Sequence, residues 1–157
     1  MRNQYWTFYV SVKYKSYYYM HFQLLFKRVN TAITILLNFT TATCVAAWSL
    51  WGKIPVLWAI LICTSQAIQA IFPKLPYNDI LISTKFMISA LEKLLLSIRF
   101  DWLSIDVNNL SDNEIQKLLK KHQTQYSNLV EQFFSGEYLP IIKYCERKAN
   151  TDTKNYF

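Results

Sequence analysis

Glycine is nearly absent from this chain of 157 residues: there are two, alongside four prolines and three cysteines. That scarcity excludes collagen-like, linker-like and turn-rich β architectures and leaves helix as the default. No glycine-rich phosphate loop can be built from it, and neither a nucleophile elbow nor a dinucleotide fingerprint is present. Charge is scarce too. Asp, Glu, Lys and Arg make up 17% of the residues, against about 25% in an average soluble domain, which excludes a disordered charged tail. Cys44, Cys63 and Cys145 lack metal-ligand spacing and indicate no disulfide. His21 and His122 are isolated in the sequence and read as interfacial or helix-face residues rather than ligands. The expectation is therefore no catalytic, cofactor-binding or metal-ligating residues, and no enzyme.

Acid is missing altogether before Asp79, while seven basic residues (Arg2, Lys13, Lys15, Lys27, Arg28, Lys53 and Lys74) precede it. From Asp79 onward ten basic residues face ten acidic ones, so the whole excess of +7 sits in the first half. A nucleic-acid binder places such an excess on one helix face or loop of a soluble fold. Here it brackets two uncharged runs, Val29–Gly52 with 24 residues and Ile54–Pro73 with 20. Crossing a bilayer takes about 20 apolar residues. The sequence thus predicts a lipid bilayer, not a nucleic acid, as the partner.

The expected fold class is an all-α membrane protein with four regions. These are an aromatic and basic segment with an interfacial helix (1–28), a two-span transmembrane hairpin (29–73), a cytoplasmic helical extension (74–134) and a mobile polar tail (135–157). Gly52 and Pro55 suit the tight turn of the hairpin, and Trp48, Trp51 and Trp58 suit a water boundary. The Lys/Arg bias predicts a multi-pass membrane protein with both termini cytoplasmic. Length and flanks argue against a cleaved signal peptide.

Polar residues stripe both runs. Thr31, Thr34, Asn38 and Thr41 share one quadrant of a helix, and Ser65, Gln66 and Gln69 cluster on another. They either bond helices together or line a conduit made by several copies. Further on, Leu81, Thr84, Ile88, Leu91, Leu95, Ile98, Trp102 and Ile105 recur at steps of three and four, a heptad-type seam. Lys85, Glu92, Arg99 and Asp106 flank it with both signs. The seam packs on the N-terminal helix of the same chain or on another chain. Asn108-Asn109-Leu110 breaks this helix, and Ser111-Asp112-Asn113-Glu114 matches a capping box for the next. Ser135-Gly136 ends that second helix.

The layout from Tyr14 to Phe134, with Phe100-Asp101-Trp102-Leu103 and Leu110-Ser111-Asp112-Asn113-Glu114-Ile115 after the spans, resembles the bacterial SLATT domains (SMODS- and SLOG-associating two-transmembrane effectors). The resemblance implies a pore-forming effector of the bacterial inner membrane in a conflict or antiphage system, triggered by a sensor or a nucleotide-synthase partner. Two spans alone cannot enclose a pore, so the expectation includes a homo-oligomer. Two other roles compete: a non-conducting anchor or scaffold that recruits a cytoplasmic partner, and a holin-like lysis protein.

Overall fold

Tyr5, Tyr9, Val12, Ser16 and Tyr19 advance by alternating steps of four and three, which sets them on one face of a helix. Neither glycine nor proline interrupts the chain there. In the computed structural model this face belongs to α1, Arg2–Ala46. The structure describes residues 1–46, 55–71, 77–107, 110–134 and 139–157, with all their side chains except those of 39–46, 55, 57, 58, 61, 77, 78 and 106. Among the described residues four more helices follow: α2 (Pro55–Ile71), α3 (Tyr77–Val107), α4 (Asp112–Phe134) and α5 (Lys143–Tyr156). Pro55 opens α2, where its missing N–H costs no helical bond.

The chain divides into two compact units, one of Met1–Leu24 with Leu81–Phe157 and one of Leu25–Ile80. The core of the first is a three-way contact. Tyr5, Tyr9 and Val12 of α1 meet Met87, Leu91, Leu94, Leu95, Ile98 and Ile105 of α3, and Ile115 and Leu119 of α4. The predicted seam is therefore satisfied within the chain. Its members Leu91, Leu95, Ile98 and Ile105 are buried, while Leu81, Ile88 and Trp102 are half-buried.

The N-terminal aromatics are core residues, which corrects the interfacial-helix expectation. Tyr5 donates its hydroxyl to Ile98 O at 3.2 Å and its ring stacks on Trp102. Burial pushes the phenols of Tyr5, Tyr9 and Tyr19 well above the ordinary tyrosine range. Two basic residues of this segment sit over rings. Lys13 Nζ lies 4.1 Å from the Tyr156 centroid, and Lys15 Nζ lies 4.5 Å from that of Tyr126. Tyrosine beside lysine fits a membrane interface and a wet helix–helix seam equally well, because both have an apolar side and a polar edge.

The segment expected to be a mobile tail contains α5, with Cys145, Ala149 and Thr153 buried at four-residue spacing. α1 holds it. Tyr18 Oη donates to Pro140 O at 2.7 Å and accepts from Ile142 N at 3.1 Å, Tyr9 and Tyr156 hydroxyls meet at 3.3 Å, and Phe157 packs edge-on to Trp6 and Tyr9. The segment is polar overall, yet one narrow face of small side chains is enough to let a helix dock closely.

The membrane expectations are also corrected: among the described residues no helix is long and apolar enough to cross a membrane. The 17 residues of α2 rise about 26 Å, short of the hydrocarbon thickness of about 30 Å. In α1, the described side chains after Lys27 and Arg28 reach only to Asn38 and include exposed Thr31, Thr34 and Asn38. A transmembrane hairpin, a multi-pass inner-membrane location and a pore are accordingly not supported. Both uncharged runs meet the length of a span, but the polar residues that stripe them lower their apolarity. The turn around Gly52, with Trp48 and Trp51, lies outside the described residues, as does the side chain of Trp58.

At the start of α4 the reach-back half of the capping box forms. Glu114 Oε2 accepts from Ser111 N at 2.9 Å and from Ser111 Oγ at 2.7 Å, so the serine hydroxyl goes to the carboxylate. Those two donors hold the Glu114 carboxyl below the usual glutamate range.

Two outcomes follow from this packing. Leu91→Ala, at a fully buried position, costs about 2–5 kcal/mol, read from the denaturation midpoint at constant slope. Because the folded pKa of Glu114 is depressed, its support of α4 is present above the ordinary glutamate range and disappears as pH falls through the folded value. The Ser111 amide chemical shift then titrates with a midpoint below that range in the parent chain and stays flat in Glu114→Gln.

Candidate functional site

Both histidines, isolated in sequence, have carboxylate partners in space. His122 of α4 is fully buried. Its Nε2 lies 2.7 Å from Asp101 Oδ2 of α3, its Nδ1 lies 3.0 Å from Gln125 Oε1, and the Tyr5 ring stands edge-on to it at 6.1 Å. His21 Nε2 of α1 lies 2.6 Å from Asp152 Oδ2 of α5. A three-residue sequence window cannot reveal such pairs, since 21 and 131 positions separate the partners.

A buried His–Asp pair supplies two of the three members of a catalytic triad, so its surroundings decide its role. His122 has both ring nitrogens occupied by oxygens of the same chain, and the Tyr5 ring stands beside it. No buried side-chain polar atom among the described residues lacks a partner, and no group of three or more His, Cys, Asp or Glu could hold a metal. What the arrangement does is fasten helices: α3 to α4 at Asp101–His122 and α1 to α5 at His21–Asp152. Burial sorts the two. The first pair has side chains 0% and 28% exposed and the second 16% and 35%.

The polar stripes of the second unit are satisfied locally where hydrogen bonds are described. Thr31 Oγ1 donates to Lys27 O and Thr34 Oγ1 to Asn30 O, each at 2.9 Å, and the buried Ser65 donates to Ile62 O at 2.9 Å. Their hydroxyls turn back onto their own helices, the usual habit of helical Ser and Thr. Asn38, Gln66 and Gln69 are exposed, and the side chain of Thr41 lies outside the described residues.

The feature that sequence reading missed lies on the far side of α3. Ile82, Phe86, Leu96, Phe100, Leu103 and Val107 are each 51–78% exposed. With Ser89 and Lys93 between them, they continue the steps of four and three from 82 to 107. At 100° per residue this row lies roughly opposite the buried seam. α3 therefore carries two apolar seams, and the chain itself covers one. Only the N-terminal end of the outer row has a described ring neighbour, Phe133, stacked on Phe86 at 6.4 Å. The signal was present in the sequence as a second register of the same heptad spacing, hidden because the first register absorbed the period. Isolated exposed apolar residues are ordinary, whereas several aligned on one face are of the kind that marks interaction sites.

No family model matches the chain, and no curated protein or solved structure matches it either.

The two fastenings separate in a double-mutant cycle. Asp101→Ala with His122→Ala gives a coupling of about 1.5–3 kcal/mol, as expected for a hydrogen bond to a charged group in a mostly buried site. His21→Ala with Asp152→Ala gives less than about 1 kcal/mol, because water screens the more exposed pair. Both are read from chemical denaturation of the four chains of each cycle.

Proposed function

We propose that this chain is a helical adaptor without an enzymatic role, whose first unit presents the outer face of α3 to a protein partner. The observation that carries this reading is the exposed row from Ile82 to Val107 on a helix whose opposite face is locked into the core. A surface of that kind is costly to leave in water and rigid enough to select a partner. The aromatic and His–Asp fastenings support the same reading, since they fix α3 from behind and leave its outer face pre-shaped.

The partner's identity follows less directly. Phe100–Leu103 and Leu110–Ile115, two of the segments that resemble SLATT domains, lie on α3 and at the entry to α4. That resemblance supports a sensor or nucleotide-synthesising protein of a bacterial conflict system as the upstream component. Scaffolding is the part of the functional expectation retained here; membrane permeabilisation is not.

A photo-crosslinking amino acid placed at Phe100 tests the adaptor reading in living cells, with the same residue at exposed Thr124 on α4 as control. A discrete protein adduct from position 100 and none from position 124, its mass identified by peptide sequencing, is the expected result. Adducts with lipid alone, or none at all, overturn the reading.

A further inference from the structure

The charges beside the outer row say what covers it. Lys85, Glu92, Arg99 and Asp106 each precede by one residue a position of that row, at 86, 93, 100 and 107. They therefore follow one flank of it and alternate in sign along the helix. Lys85, Glu92 and Arg99 are exposed, and no ion pair within the chain is described for them. On the other flank, at 83, 90, 97 and 104, stand Ser, Ala, Ser and Ser. We infer that a second copy of this chain docks on the outer face of α3, the two α3 helices running antiparallel about a two-fold axis between Leu94 and Leu95. This rests on the outer face being a protein-binding surface.

Antiparallel pairing places like flanks side by side. With the axis between 94 and 95, Glu92 falls near Arg99 of the second copy, and symmetry doubles the contact. Both contacts are attractive, and the uncharged flanks meet each other. The row itself is complementary in the same register: 82 opposes 107, 86 opposes 103, 89 opposes 100 and 93 opposes 96. Bulky Phe100 thus meets small Ser89, and the stem of Lys93 lies along Leu96 with its ammonium reaching water. A parallel pair instead sets Lys93 against Lys93 in the middle of the seam, and puts the charged flank against Ser and Ala. Six large side chains at the observed exposures present roughly 600 Å² per copy, so about 1,200 Å² in total. That clears the area of about 1,000 Å² a specific interface needs.

Sedimentation equilibrium of the full chain is expected to give a dimer. Glu92→Lys makes both Glu92–Arg99 contacts repulsive and weakens the dimer about tenfold. Glu92→Lys with Arg99→Glu exchanges the signs and restores the parent Kd to within about twofold. Circular dichroism of each variant confirms the fold, since both positions are exposed. Direction is read by oxidation in a background of Cys44→Ser, Cys63→Ser and Cys145→Ala. Phe86→Cys chains mixed with Leu103→Cys chains form a covalent pair, whereas either alone does not, because like positions lie about 25 Å apart. A monomer at all concentrations overturns the proposal, as do a dimer indifferent to Glu92→Lys and a Phe86→Cys chain that crosslinks to itself. If position 100 meanwhile captures an identified protein other than this chain, the adaptor reading stands and only the second copy is lost.

Discussion

Tyr5 is buried between α1 and α3, with its hydroxyl donating to Ile98 O and its ring against Trp102 and His122. The rest of the first unit depends on that packing. A phenol buried without an acceptor costs several kcal/mol, so α1 can cover α3 only in the register where Tyr5 reaches a carbonyl. That register brings Tyr9 to Tyr156 and Tyr18 to Pro140 and Ile142. The first two turns of the chain therefore also determine where its last helix docks.

The polar chemistry of this unit is internal. Asp101–His122 and His21–Asp152 join helices that are distant in sequence, and Lys13 and Lys15 are taken up by tyrosine rings. Groups that look reactive or membrane-seeking in a linear reading are thus engaged in fastening. The outer face of α3 is different in kind. Largely apolar and regular, with charges of alternating sign along one flank in the sequence, it leaves six large side chains exposed.

Much of the helical layout was legible. Pro55 starts α2 and Ser111–Glu114 starts α4, because these are local effects of proline geometry and capping; Ser135-Gly136 lies outside the described residues. The buried seam of α3 was legible too, since heptad spacing reports a face whatever covers it. The environment of the uncharged runs was not. Val29–Gly52 and Ile54–Pro73 were counted as spans by length, yet no described helix is long and apolar enough to cross a membrane, and the polar Thr31, Thr34 and Asn38 carry as much weight as the absence of charge. The role of the N-terminal tyrosines was likewise open, because an amphipathic ring suits several solvents.

The sequence by itself determined that the chain is helical, where α2 and α4 begin, and that α3 carries a strong apolar period, because these depend on residues within a few positions of one another. Tertiary structure alone decided which of the two seams of α3 is covered, that α5 docks on α1, and that each histidine has an aspartate. Those outcomes depend on contacts across 21 to 147 positions, and local spacing carries no information about which distant face will arrive.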